Sequence, residues 1–452
     1  QRQDREQEHQ DLAPGGLQGL QQIARLPHPA HHAQDTEHPQ DPQDADHGHV
    51  LGVDEQQAQV GRQHAEQIDD AVEAAGEAWG LAWSQMLDAG SKAIKSNAYL
   101  AEARQSEVEI AETPADTVFQ IDKVRVLRYR PLAEPKKDAD PVIICYGLFG
   151  RQTMIDLQED RSLVRNMLMA GLDVYVVDWG NPTRADQYLN LDDYIDLYLG
   201  SCVEHVVEAN GGKPIRLFGI CEGGTFAAAL VALRPELFSG LALAITPIDF
   251  RGEPDSFWAG EGFLNSWIQN LAEDDVDLMI DTLGMLPGSM TGAAFSSLTP
   301  VNSMTKYNIG LANMQGDEAA MLNFLRMEKW IADRPDHPGE AARQWLNQPY
   351  RENRLVDGTS EVSGEKVDLS TISCPVLNIY AEQDHIVPVS CSKALGKFVD
   401  PKLYEEIGFP GGHVGVFVSR KAQGVVAGGL IDWIGRSKKP APKTKKKTPK
   451  KK

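Results

Sequence analysis

The run Arg216-Leu217-Phe218-Gly219-Ile220-Cys221-Glu222-Gly223-Gly224-Thr225-Phe226-Ala227-Ala228-Ala229-Leu230 carries the clearest chemistry in the chain. It reads as an apolar strand, a Gly-x-Cys-x-Gly-Gly turn and an Ala-rich helix. The glycines have a steric reason, because a sharp strand-to-helix turn leaves no room for flanking side chains. A helix N-terminus aimed at a cysteine supplies oriented N–H groups and a positive dipole end, which favour a thiolate and a tetrahedral oxyanion. The competing explanation is a buried structural cysteine near a glycine turn. A nucleophilic thiol needs a base, and beyond residue 70 the chain has four histidines: His205, His337, His385 and His413. His205 falls in a helical pattern before the turn, and His337 in the turn-like Arg334-Pro335-Asp336-His337-Pro338. Asp384 and His385 follow the apolar run Val376–Tyr380. His413 lies in Pro410-Gly411-Gly412-His413-Val414-Gly415, after the last strand-like run. His413 is the preferred base and Asp384 its acid, with His385 as the second candidate or a substrate-facing residue. The oxyanion donors expected are the Glu222 backbone N–H and one amide from the loop Tyr146–Arg151, Leu148 first and Phe149 second.

These side chains need a scaffold. Short apolar runs at Val142–Cys145, Asp173–Asp178, Ile215–Ile220, Leu241–Pro247, Val376–Tyr380 and Leu403–Ile407 read as strands. Helical patterns fall near 160–170, 191–209, 223–233, 389–397 and 415–435, and Val118–Tyr129 alternates like a hairpin. Apolar strands alternating with helices predict a mostly parallel sheet with helices on both faces, in the α/β class. The order Cys221, Asp384, His413 is that of the α/β-hydrolase fold, with Cys where Ser usually stands. Residues 249–370 interrupt the rhythm and read as an inserted cap subdomain, rich in Trp258, Phe263, Trp267, Trp330 and other apolar residues that also serve as its own core. The domain reading is therefore a disordered segment at 1–70, a helical N-terminal region at 71–114, hydrolase core at 115–248 and 371–436 around the cap, and a disordered tail at 437–452.

The net charge of -21 divides unevenly. Residues 1–70 hold 14 acids, four Arg and eight of the 12 His, with no Lys; they read equally as a real tail or as the product of a mis-set gene start. Residues 437–452 hold nine Lys and no acid. An acidic body argues against nucleic acid as a partner. No apolar run is long enough to span a membrane. Five scattered cysteines fit reduced thiols in a cytoplasm. The histidines of the first segment lack a ligand pattern, so neither a metal nor a cofactor is expected.

The chain resembles the polyhydroxyalkanoate synthases, specifically the catalytic subunit of the class III, two-component type, over roughly residues 115–436. Beyond the Cys221 turn, the resemblance rests on Met154–Ser162, Val176–Gly180, Met327–Ile331, Gly339–Ala341 and Gly411–Gly415. It implies that Cys221 takes the acyl group of a 3-hydroxyacyl-CoA as a thioester and releases CoA. His413 would deprotonate the thiol, and Asp384 would orient His413 or help activate the attacking 3-hydroxyl. The implied product is a polyester, and the cap, with Trp330 facing substrate, would exclude water. A second synthase subunit, homodimerisation and a place on polymer granules are also implied. Glu222 departs from the family, which more often has Gln there; an inward-pointing acid would oppose thiolate formation. The acidic body is similar to proteins of high-salt cytoplasms. Two other functions stand beside this one: a hydrolase of the esterase, thioesterase or polyester depolymerase kind, and a non-enzymatic granule-associated scaffold.

Overall fold

A computed structural model of the protein describes residues 108–136, 140–251, 263–298, 305–306, 310 and 318–437. The expected disordered segment, residues 71–107 of the expected helical region, Trp258, the side chain of Phe263 and the tail beyond Ser437 lie outside the described residues, and residues 108–114, the rest of that expected helical region, are not helical.

The centre is an eight-stranded sheet. Its strands are β1 (Ala115–Ile121), β2 (Val124–Tyr129), β3 (Val142–Cys145), β4 (Val174–Asp178), β5 (Ile215–Ile220), β6 (Phe238–Ala244), β7 (Val376–Ala381) and β8 (Tyr404–Phe409). They lie in the order β1-β2-β4-β3-β5-β6-β7-β8. The hairpin β1–β2 is antiparallel and β2 meets β4 antiparallel, while every pairing from β4 to β8 is parallel. Every residue of β3, β4, β5 and β6 is buried, as strands covered on both faces must be. Alternate side chains feed two cores. Ile143, Cys145 and Leu217 pack on one side of the sheet, and Val142, Ile144 and Phe218 on the other.

The helices that matter for the site are α1 (Leu163–Met169), α2 (Ser201–Ala209) and α3 (Glu222–Leu233) in the core. Between β6 and β7 lie α4 (Phe263–Gln269), α5 (Glu273–Leu283), α6 (Gly288–Ser297), α7 (Glu318–Ala332) and α8 (Gly339–Trp345). The core closes with α9 (Val389–Lys393) and α10 (Gly428–Arg436). Ala227, Ala228, Ala229 and Ala232 keep α3 thin enough to lie buried against the sheet.

Differences from the sequence expectation are local. The strand expected at Leu241–Pro247 runs from Phe238 to Ala244. It stops there because Ile245 adopts a φ of 46°, which turns the chain out of the ladder. The single helix expected near 415–435 is broken into consecutive pieces that bend around Ser419. His337, expected in a turn, pairs with Leu286 in a two-residue antiparallel contact that also joins Pro338 to Met285.

Candidate active site

Cys221 joins β5 to α3 with φ 53° and ψ -128°. A residue with a Cβ pays roughly 1–3 kcal/mol to sit there, and such strain persists only where the surroundings enforce it. The enforcement is visible in the backbone, where the Cys221 N–H donates to Ala244 O at 3.0 Å and the Gly224 N–H to Cys221 O at 2.9 Å. The glycines behave as the spacing demands. A Cβ on Gly223 would meet the backbone of Cys145 and Tyr146 at 2.6 Å, and one on Gly224 would overlap the Thr246 hydroxyl. Cys221 is partly exposed, whereas Cys145, Cys202, Cys374 and Cys391 are buried.

Asp384 follows β7 and His413 follows β8, so the parallel sheet delivers both to the end of β5 where Cys221 stands. The His413 Nδ1 donates to Asp384 Oδ2 at 2.8 Å. The other carboxylate oxygen accepts the N–H groups of Ile386 at 2.9 Å and Val387 at 3.0 Å, which fixes the plane of the acid. Burial disfavours a charged His413, but the Asp384 carboxylate and the Cys221 sulfur outweigh it and push the imidazole up from 6.5 to about 10. His413 therefore carries a second proton at neutral pH. His385 behaves in the opposite way: burial pulls its imidazole below 6.5 although Asp384 is adjacent.

The loop that follows β3 is tied down by its carbonyls. The Trp179 indole N–H donates to Tyr146 O at 2.7 Å, an Arg334 N–H to Phe149 O at 3.2 Å and the Trp330 indole N–H to Arg151 O at 3.0 Å. On its amide side, the Leu148 N–H donates to Glu222 Oε2 at 2.6 Å. Glu222 is buried, and its Oε1 lies 3.2 Å from His337 Nε2.

A cavity of about 290 Å³ opens above Cys221. Its floor includes Tyr146, Gly147, Glu222 and His413. Its walls are largely apolar and come from the connection between β6 and β7, among them Leu264, Trp267, Met279, Met290, Trp330 and Trp345.

A family model of the alpha/beta hydrolase fold matches residues 140–419. The poly(3-hydroxyalkanoate) polymerase subunit PhaC of Allochromatium vinosum is 40% identical over 328 residues, which cover 72% of this chain and 90% of that protein. The chain belongs to the poly(3-hydroxyalkanoate) polymerase subunit PhaC family. The relative of the same name from Synechocystis is 37% identical over 351 residues, or 77% of this chain and 92% of its own. That from Haloferax mediterranei is 34% identical over 332 residues, or 73% and 65%.

Within this family member, Cys221, Glu222, Trp330 and His413 meet at one cavity, with Asp384 behind His413. His385 sits beside Asp384 and is not among the residues that line the cavity. Leu148, the first choice as oxyanion donor, has its N–H directed at the Glu222 carboxylate. Sequence reasoning passed over His337 and Arg334. The available signal for His337 was Glu222 itself, since an acid in an otherwise apolar elbow requires a buried partner. Among the described residues no group of three or more His, Cys, Asp or Glu is placed to hold a metal ion, and no helix is long and apolar enough to cross a membrane.

Proposed function

We propose that the chain polymerises 3-hydroxyacyl-CoA, with 3-hydroxybutyryl-CoA as the working substrate, through a thioester on Cys221. The observation that carries this is His413, held by Asp384, meeting a partly exposed Cys221 at the base of a largely apolar cavity, in a chain whose relatives are named polymerases. The proton that His413 holds on Nε2, the nitrogen that Asp384 leaves free, is the one Cys221 gives up, so the attacking group is a thiolate beside an imidazolium. The thiolate attacks the substrate carbonyl, the C–S bond to CoA breaks, and the CoA thiolate leaves with the proton from His413. Exchange between two thioesters is nearly isoenergetic, so the acyl group stays activated. The 3-hydroxyl of an acceptor then gives its proton to His413, directly or with help from Asp384, and attacks the Cys221 acyl carbon. An ester forms and Cys221 is released.

The developing oxyanion is bound by the Glu222 backbone N–H and, because Glu222 engages Leu148, by the Phe149 N–H from the loop. Residues 249–370 act as a cap whose apolar walls keep water from the acyl thioester. The resemblance to two-component synthases supports a second subunit, a homodimer and work at the granule surface in the cytoplasm. The test is incubation with 3-hydroxybutyryl-CoA, with and without a second subunit, followed by measurement of CoA and acyl product. Polymer with CoA is expected. Free 3-hydroxybutyrate would make the chain a hydrolase, and absence of both products would leave a scaffold.

A further inference from the structure

Glu222 is the acid immediately after the nucleophile, and its side chain points into the protein rather than out of it. Three contacts define its surroundings. Its Oε2 accepts the Leu148 N–H at 2.6 Å. Its Oε1 lies 3.2 Å from His337 Nε2. Its Cβ sits where a side chain on Gly147 would have to be, 2.9 Å from such an atom. His337 is equally buried, at 1% exposure. The Leu286–His337 pairing fixes its backbone, and its ring lies against Phe149 with centroids 4.6 Å apart. Its second nitrogen, Nδ1, is 3.2 Å from Pro338 O.

These partners determine the proton count. A carbonyl oxygen can only accept, so Nδ1 carries a hydrogen. The contact between Nε2 and Oε1 then needs one more proton, on either the ring or the carboxyl. In both arrangements Glu222 and His337 together are neutral. A carboxylate buried beside a nucleophilic thiol without that proton would disfavour the thiolate. The same pair grips the loop after β3 twice, at the Leu148 amide and at the Phe149 ring.

We propose that His337 and Glu222 form a shared-proton clamp, a pair of positioning residues that ties the β6–β7 connection to the nucleophile turn and the oxyanion loop while adding no net charge beside Cys221. The inference rests on reading Cys221 as the nucleophile, and it assigns His337 a role that neither the triad nor the substrate requires. The clamp sets a definite order among variants. In E222Q, the carbonyl of the substituted amide still accepts the Leu148 N–H, and its NH₂ group donates to a neutral His337. In H337Q, an amide replaces the imidazole, so nothing supplies the shared proton and Glu222 stays charged. In the double variant, the two amides hydrogen-bond and no charge is buried.

The experiment is site-resolved alkylation of the full chain with iodoacetamide near neutral pH, followed by peptide mass spectrometry of Cys221. Thermal unfolding serves as the control for folding. E222Q is expected within about threefold of the unmodified protein, H337Q slower by about tenfold or more, and E222Q/H337Q restored to within about threefold. Two residues that merely fill space would give a double variant at least as impaired as H337Q, and that outcome overturns the clamp. An H337Q rate equal to the original overturns it as well. If H337Q does not fold, E222Q and the double variant still decide, because a tenfold loss in either contradicts the clamp. Turnover is not read, so failure of the nucleophile assignment, seen as CoA release surviving C221A, is recorded separately.

Discussion

Asp384 does two things for one histidine: it fixes the ring through Nδ1 and it stabilises the imidazolium. Replacement by Asn keeps the size but removes the charge and permits the wrong tautomer. Asp384→Asn is expected to lower CoA release from 3-hydroxybutyryl-CoA by about 10²–10⁴-fold, measured with a thiol-reactive dye. The same pair shapes stability. A histidine raised from 6.5 to about 10 contributes stability that is fully present below about 6.5 and is lost as the pH rises through about 10. Denaturation midpoints of the original protein should fall across that window, and those of Asp384→Asn should fall less. A steeper fall in the variant would place the proton elsewhere. That Cys221, Asp384 and His413 come together at one end of the sheet was legible in the sequence, because each follows a core strand whose apolar run is easy to see. His337 was not, because its position depends on a two-residue pairing that carries no periodicity.

The glycines of the turn show how elements place the chemistry. Gly223 packs against the backbone at the end of β3, and backbone atoms cannot yield as a flexible side chain does. Gly223→Ala is expected to cost about 1–3 kcal/mol in urea denaturation and to push α3 away from the loop that faces Cys221. An unchanged midpoint would mean that the turn is less crowded than the contacts indicate. The signature residues outside the turn find their reason at this scale too. Trp179, at the end of β4, and Trp330, near the end of α7, donate to two carbonyls of the loop after β3. The central strands were readable from composition because burial on both faces removes polar residues from them. Their ends were less so. Nothing in Ile245-Thr246-Pro247 announces that the ladder has already closed at Ala244, since the break comes from a backbone angle at a residue that looks like strand.

For the molecule as a whole, the decisive feature is an apolar cavity set over a charged pair in a hydrolase fold. A hydrolase must admit water to its acyl-enzyme, whereas a polymerase must refuse it. Trp267 is 48% exposed and lines the cavity, so its truncation should open the wall at little cost to folding. Trp267→Ala is expected to change stability by less than about 1 kcal/mol and to raise the ratio of free 3-hydroxybutyrate to polymer. An unchanged ratio would remove that wall from the exclusion of water. The charge of -21 is divided among an acidic body and dissimilar ends, while the lining of this cavity is largely apolar. The central claim is covalent and can be read directly. The protein and C221A are mixed with 3-hydroxybutyryl-CoA, quenched in acid within the first turnovers, and analysed by peptide mass spectrometry alongside CoA release. A 3-hydroxybutyryl group on Cys221 that forms with CoA, passes into polymer and is absent with C221A is the predicted result. CoA release and polymer persisting in C221A, or an acyl group found only on another residue, would contradict it.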